Sequence, residues 1–116
     1  MHELNVLMEV VDQVEALAAE EKLEKVAAIV LQIGELSSVV PNFMEQYYPM
    51  IVENKARLKD SKLVIERTPG EARCTSCGTI YNVCQNEGLC PFCGKFEKEV
   101  LQGREFLIKE IWVSRL

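Results

Sequence analysis

Four cysteines are arranged as two C-x-x-C pairs, and these pairs are the clearest chemical signal in the sequence. Cys74 and Cys77 lie in the segment CTSCG, and Cys90 and Cys93 lie in the segment CPFCG. A C-x-x-C turn directs two thiolates at a common point, and two such turns supply the four sulfurs of a closed, tetrahedral Zn²⁺ site. A glycine follows each pair and allows a backbone position of positive φ beside the sulfurs. We therefore predict a structural zinc site at these four residues.

The same cysteines have two competing interpretations. Two such knuckles with an aromatic residue shortly after the first pair resemble the iron site of rubredoxins, although the short gap between the pairs favours zinc. A thioredoxin-like dithiol is disfavoured, because it needs one reactive pair at a helix N-terminus. Cys84 lies between the pairs at no ligand spacing, and we expect it to be a free cysteine. Four thiolates leave zinc no open position, so this site is not suited to hydrolysis.

The N-terminal sequence MHE is a second candidate metal site. The α-amine of Met1 and the backbone nitrogen and imidazole Nδ1 of His2 can close adjacent chelate rings around one ion, and planar nitrogen donors suit Ni²⁺ or Cu²⁺. Glu3 can add a carboxylate or orient the imidazole. Such a site is open on one side and can release its metal, provided that the N-terminus is free and unextended. His2 is the only histidine in the chain, so a Ser-His-Asp triad has little support and we expect no enzymatic catalysis.

Two helices and three strands are expected to position these candidate sites. Apolar residues at helical spacing predict an amphipathic helix over residues 4–20. A second helix is expected over 41–54, beginning at Pro41 and kinked or shortened by Pro49. Runs rich in β-branched residues predict strands at Val26–Ile33, Lys62–Thr68 and Glu105–Val113.

The last of these strands suits pairing with either of the other two, which would make the cysteine module an insertion between strands of one sheet. This organisation predicts one domain over residues 1–69, completed by 102–116, and a second domain over 70–101. In the first domain we expect Trp112 to be packed, and we expect the carboxylate of Glu35 to be solvated.

Composition and charge limit the possible partners. The 116 residues are 48% hydrophobic and 27% charged, which is sufficient for one core and one small metal-stabilised module. A formal net charge of −5 is poorly suited to phosphate backbones, so we expect no nucleic-acid partner. No apolar run is long enough to span a bilayer and the N-terminus does not resemble a signal peptide, so we expect no membrane association. The cysteine pattern then favours metal binding in a reducing cytoplasm.

Taken together, these segments resemble the HypA family, the nickel metallochaperones of nickel–iron hydrogenase maturation. The resemblance rests on the opening MHE, the segment IVLQIGELSSVVP, the motif CTSCG…CPFCG and the apolar last strand. It implies an α+β fold with two helices packed on a small three-stranded sheet and an inserted zinc-ribbon-like domain. The nickel-binding domain would be 1–69 with the strand in 102–116, and the zinc-binding domain 70–101. Transferable Ni(II) would be bound at Met1, His2 and Glu3, and structural Zn(II) at Cys74, Cys77, Cys90 and Cys93.

The resemblance also implies partners. The family delivers nickel to the precursor of the hydrogenase large subunit with a GTPase accessory protein, and some members also supply urease. The alternative is a zinc-ribbon module that binds protein or nucleic acid without nickel transfer. A basic face interleaved with aromatic residues would favour that alternative, but the segment KFEKEV at 95–100 mixes charges of both signs.

Overall fold

The computed structural model describes residues 2–113, except for the side chain of His2. None of the helices within this range is long and apolar enough to cross a membrane. The two helices and the small sheets confirm the predicted α+β class. In chain order the elements are α1 (His2–Glu20), β1 (Val26–Gly34), α2 (Pro41–Val52), β2 (Lys62–Thr68), β3 (Glu71–Cys74), β4 (Ile80–Asn82), β5 (Lys98–Gln102) and β6 (Phe106–Val113).

Helix α1 buries one apolar face and begins two residues earlier than expected. The early start places Glu3 in the first turn, where the helix dipole favours a carboxylate. The buried side chains recur every three or four residues, which keeps them on one side of the helix. They are Leu7, Val10, Val11, Val14 and Ala18.

Helix α1 ends in a Schellman motif formed without glycine. Lys22 takes the left-handed backbone conformation, with φ of 58°. The N–H of Leu23 donates to the carbonyl of Ala18 at 2.8 Å, and the N–H of Lys22 donates to that of Ala19 at 3.2 Å. These two hydrogen bonds satisfy carbonyls that the end of a helix otherwise leaves unpaired.

Substitution Lys22→Gly is expected to stabilise the chain. A left-handed backbone costs a residue with a Cβ atom about 1–2 kcal/mol, whereas glycine loses about 0.5–1 kcal/mol more entropy on folding. The expected net gain is about 0.5–1 kcal/mol, which corresponds to a rise in Tm of about 2–4 °C in thermal unfolding of zinc-loaded protein. Lys22→Ala keeps the Cβ atom and should leave Tm unchanged. An equal rise in both variants would contradict this explanation.

Strand β1 is the centre of the first sheet, whose order is β2-β1-β6. The side chains of Ile29 and Leu31 are fully buried, as expected for a central strand. The sequence left two partners open for β6, and the structure pairs it with β1. On β6, Trp112 is 53% exposed, so the expectation that it packs in the interior was wrong. Its indole N–H instead donates to Glu110 at 2.8 Å.

Helix α2 continues through Pro49 and ends at Val52, two residues before the expected end. Pro41 occupies its first turn, where the missing N–H has no cost. Pro49 has no N–H to donate to the carbonyl of Glu45, four residues earlier. The buried side chains of the helix are spaced by four residues and form one face: Met44, Tyr48 and Val52.

The second sheet, in the order β4-β3-β5, was not predicted as separate strands. Its central strand β3 pairs antiparallel with both neighbours, so that Ala72 lies opposite Tyr81 on one side and Val100 on the other. A small core forms over this sheet. Its members are Ala72, Cys74, Tyr81 and Cys90, with partly buried Val83 packed against them.

Internal contacts divide the chain into two units. The first comprises the residues up to 31, 39–66 and those from 107 onward, and the second comprises 32–38 and 67–106. The second unit is wider than the expected domain 70–101, because it includes the segment after β1 and the flanks of the cysteine module. The domain limits drawn from the sequence remain a prediction.

Three glycines meet where the second unit's segments cross. A Cβ atom on Gly34 would lie 1.9 Å from the carbonyl oxygen of Gly103, and a Cβ atom on Gly103 would lie 2.5 Å from Cα of Gly70. The backbone segments can approach this closely only because these residues have no side chain.

Glu35, which follows Gly34, is half-buried, and its carboxylate accepts hydrogen bonds from the N–H of Gly70 at 2.8 Å and from Asn82 Nδ2 at 3.5 Å. The expectation of a solvated Glu35 was therefore wrong.

Candidate metal centres

The four predicted zinc ligands lie together in the structure. The Sγ atoms of Cys74 and Cys93 are 3.5 Å apart, and those of Cys77 and Cys90 are 3.6 Å apart. All four sulfurs lie within 4.8 Å of one another. A tetrahedron with Zn–S bonds of about 2.3 Å requires sulfur separations of about 3.8 Å. The cluster therefore fits the structural zinc ion predicted from its spacing.

Each C-x-x-C pair lies in the same kind of turn. Gly78 and Gly94 have φ of 79° and 76°, as the sequence predicted for the glycine after each pair. The N–H of Gly78 donates to the carbonyl of Cys74 at 2.9 Å, and that of Gly94 donates to Cys90 at 2.8 Å. The first cysteine of each pair also donates its own N–H, to the carbonyl of Thr79 at 2.8 Å and of Lys95 at 3.0 Å respectively.

In each C-x-x-C pair, the first cysteine is buried and the second is exposed. Cys74 and Cys90 are buried and belong to the small core, whereas Cys77 and Cys93 are exposed. The site is therefore part of the packing of the second unit as well as a set of ligands. Cys84 is exposed and lies outside the cluster, which agrees with its expected role as a free cysteine.

The thiols of the metal-free site differ in acidity. Hydrogen bonding to the Thr79 hydroxyl, which lies 3.2 Å from Cys77 Sγ, is the largest cause that lowers the pKa of Cys77 to about 6. For Cys93, the backbone N–H of Lys95 lowers the pKa, but partial desolvation of the thiol and the neighbouring cysteines outweigh it and raise the pKa to about 11. The site therefore contains one thiol that ionises readily and one that retains its proton at neutral pH.

Two residues support the site in ways the sequence analysis did not predict: Thr79 was not singled out, and Tyr81 was noted only as the aromatic residue after the first pair. Thr79 stabilises the thiolate of Cys77, and Tyr81 fills the core beside Cys74 and Cys90. Burial, and then the negative charge of the thiolates, raises the pKa of Tyr81, so it stays a neutral phenol. The sequence signal for both was their position directly after the first knuckle, where the chain returns as strand β4.

At the N-terminal candidate site the structure describes only part of the donor set. Met1 and the side chain of His2 lie outside the described residues. The backbone of His2 begins helix α1, and the N–H groups of the first turn of a helix have no partner within the helix. Glu3 is half-buried, and its carboxylate accepts an exposed hydrogen bond from the N–H of Val40 at 3.2 Å. The assignment of nickel to Met1, His2 and Glu3 remains a prediction.

Comparison with known proteins identifies the family. Residues 1–113 match the family described as hydrogenase/urease nickel incorporation, metallochaperone, hypA. The hydrogenase maturation factor HypA of Geobacter metallireducens is 37% identical over 114 residues, covering 98% of this chain and 100% of that protein. The factor from Streptomyces avermitilis is 35% identical, covering 96% of this chain and 86% of that protein.

Solved structures show the same fold. The solution structure of the nickel metallochaperone HypA from Helicobacter pylori has a TM-score of 0.65 at 21% identity, with 96% of each chain covered. A second HypA solution structure has a TM-score of 0.69 at 23% identity, with 98% of this chain and 97% of that chain covered. The four-cysteine cluster fits the structural zinc site of this nickel-binding family. The chain therefore belongs to the HypA family, the metallochaperones that incorporate nickel during hydrogenase maturation.

Proposed function

We propose that the chain carries Ni(II) as cargo at its N-terminus and holds Zn(II) permanently at Cys74, Cys77, Cys90 and Cys93. The observation that carries the proposal is the difference between the two donor sets. The thiolate set is closed and built into a core, whereas the described part of the N-terminal set, the backbone of His2 and the side chain of Glu3, belongs to the first turn of a helix. A closed set retains its ion, and an open set can pass its ion to another protein.

The backbone at the start of α1 supports nickel binding. Coordination by the His2 backbone nitrogen requires removal of its amide proton, and this breaks no hydrogen bond within the helix. The carboxylate of Glu3 is held by the N–H of Val40 and remains close in sequence to the nitrogen donors. It can accept a hydrogen bond from the imidazole or occupy a further coordination position.

The zinc site supports a non-enzymatic role for the protein. Bound zinc would act as a cross-link between the two knuckles and would offer no open position to water or substrate. Nickel transfer would then proceed by ligand exchange, in which donors of the acceptor replace the amine, amide and imidazole nitrogens. Because these nitrogens also bind protons, nickel affinity should fall as the pH is lowered.

The acceptor we propose is the precursor of the hydrogenase large subunit, and the partner we propose is a GTPase accessory protein that assists nickel insertion. The hydrogenase is supported by the names of the relatives, and the family description also mentions urease. A cytoplasmic location suits four thiols that must remain reduced to bind zinc. Neither the described residues nor the family match favours the alternative of a zinc-ribbon module that works without nickel.

Substitution His2→Ala is expected to weaken nickel binding at least about 100-fold, because loss of a group that merely orients a ligand already costs 10–100-fold. Nickel affinity is measured by equilibrium dialysis of untagged, zinc-loaded protein. Extension of the N-terminus by a short tag should have a similar effect, because it converts the amine of Met1 into an amide. Zinc content serves as the control and should not change in either variant. Full nickel affinity in His2→Ala would remove the N-terminal site from the proposal.

A further inference from the structure

Helix α1 carries acidic side chains and no lysine or arginine. Its acids are Glu3, Glu9, Asp12, Glu15 and Glu20, and Glu21 follows directly. Asp12 and Glu15 form ion pairs with Lys55 and Arg57. Glu9, Glu20 and Glu21 are exposed and have no ion-pair partner among residues 2–113. The exposed face of this helix therefore presents uncompensated negative charge.

An apolar groove runs between this helix and strand β6. Its volume is about 430 Å³, and its helix wall consists of Gln13, Val14 and Leu17. The side chain of Leu17 is 42% exposed, although leucine is apolar and would be expected on the buried face of the helix. Residues four apart are neighbours on the surface of a helix, so Glu9, Gln13 and Leu17, followed by Glu21 just after the last residue of α1, form a single row inclined to the helix axis. This row has a carboxylate at each end, with Gln13 and Leu17 of the groove wall between them.

The opposite wall of the groove is the unpaired edge of a sheet. The groove touches four consecutive residues of β6, Ile108 to Ile111. Consecutive strand residues point to opposite faces, so a groove that touches all four must follow the backbone edge. Strand β6 pairs with β1 and has no second neighbour among the described residues. Its outer N–H and C=O groups are therefore available for a further strand.

A second copy of this chain fits the edge poorly. Two β6 strands related by a two-fold axis would pair antiparallel, and equivalent residues would face each other at the axis. The two registers with the longest overlap are centred on Lys109 or on Glu110, and each places two like charges directly opposite one another. The uncompensated acids of α1 would add further repulsion. The occupant should therefore be a different, basic chain.

We propose that the groove binds an extended segment of a partner protein that adds to β6 as a strand and carries basic residues at both ends. Glu9 and Glu21 are twelve residues apart, which corresponds to about 18 Å along a helix. A strand covers that distance in five to six residues, and side chains on one face require an even spacing. The segment thus has two Lys or Arg residues six positions apart, with apolar residues two and four positions after the first. This inference does not depend on where nickel binds.

The test uses the fluorescein-labelled peptide Lys-Thr-Val-Thr-Ile-Thr-Lys and the untagged, zinc-loaded chain. Fluorescence anisotropy should show saturable binding that weakens with added salt. The double variant Glu9→Lys/Glu21→Lys should bind about tenfold more weakly. A peptide with Glu in place of both Lys residues should bind this variant better than it binds the original chain. Amide exchange at residues 108–111 should slow when the peptide is bound.

A matched control reverses two exposed acids elsewhere. Glu45→Lys/Glu53→Lys changes the net charge by the same amount in helix α2 and at the residue that follows it, and should leave the affinity for the peptide unchanged. Equal weakening in both double variants would overturn the proposal, because it would show attraction by net charge alone. Absence of binding, or binding without protection of residues 108–111, would also overturn it. Nickel stoichiometry should be the same in all these variants, so the test is separate from that of the nickel site.

Discussion

Removal of the metal from the four-cysteine site is expected to unfold the unit of residues 67–106 and to leave α1 and α2 helical. The variant Cys90→Ala, or treatment with a strong chelator, should produce this result. Structural zinc contributes about 10–16 kcal/mol in small zinc domains, which is more than the whole stability of most of them. Its loss therefore converts the second unit from folded to unfolded.

The reason for this sensitivity is the size of the core over β3. It contains only Ala72, Cys74, Tyr81 and Cys90, with Val83 against them, and two of these five side chains are metal ligands. Such a core buries too little apolar surface to offset the entropy of ordering about forty residues. The first unit has its own buried side chains on α1, β1 and α2 and contains none of the ligands.

Hydrogen exchange measured by mass spectrometry checks this prediction region by region. Peptides from β3, β4 and β5 should lose their protection in Cys90→Ala, while peptides from α1 should keep theirs. Cys84→Ala is the matched control, because it removes a cysteine of the same unit that lies outside the cluster. Retained protection in β3 without metal would show that the second unit folds on packing alone.

The acidities of the thiols add a pH dependence to metal binding. The raised pKa of Cys93, about 11, means that its proton must leave when zinc binds at neutral pH. The lowered pKa of Cys77, about 6, means that this thiol is already ionised there. Zinc affinity should therefore rise as the pH is raised above neutrality, with protons released on binding. Calorimetry in buffers of different ionisation enthalpy should detect this release.

Substitution Gly34→Ala is expected to cost roughly 3 kcal/mol or more, at the upper end of the range for overpacking. The new methyl group would lie 1.9 Å from the carbonyl oxygen of Gly103 and 2.1 Å from its carbonyl carbon, so backbone must move. Rotation of a side chain cannot relieve a clash with a backbone atom. Thermal unfolding of the zinc-loaded variant should show a fall in Tm of about 10 °C.

Gly88→Ala is the control for this substitution. Gly88 has φ of +81°, and the nearest atom to an added Cβ is 3.9 Å away on Phe96, so the variant carries only backbone strain. That strain is worth about 1–2 kcal/mol. A Tm for Gly34→Ala no lower than that of Gly88→Ala would contradict the prediction, because it would show that the contact with Gly103 costs no more than the backbone strain at Gly88.

The zinc ligands and most elements were predictable because their signals are local. A C-x-x-C pair forms its turn within five residues. The roles of Cys74 and Cys77 and the positive φ of Gly78 could therefore be predicted from residues adjacent in sequence. Alternating or helical periodicity is local in the same sense. Strand β2 was predicted with the bounds observed, Lys62–Thr68, and β1 was predicted one residue short of its observed end.

The errors concern features that depend on distant residues. The partial burial of Glu35 is explained by Gly70 and Asn82, which lie 35 and 47 residues away in sequence. The exposed Trp112 lies on an edge strand, and only the order of strands in the sheet reveals that position. The sequence could not decide whether β6 pairs with β1 or with β2 for the same reason, because the apolar residues of β6 are compatible with either strand as its neighbour.

The crossing of Gly70 and Gly103 has a consequence for how this chain can vary. Gln102 lies opposite Glu71 across the β3–β5 pair, and Gln102 Nε2 donates to the carbonyl of Pro69 at 3.1 Å. The stretch between Gly70 and Gly103 therefore starts and ends at adjacent points, and its two ends are joined by these contacts. The intervening stretch can be lengthened, trimmed or exchanged without altering the gap that the flanking strands must bridge. Replacement of this stretch by a short Gly-Ser linker should therefore allow the first unit to be prepared on its own.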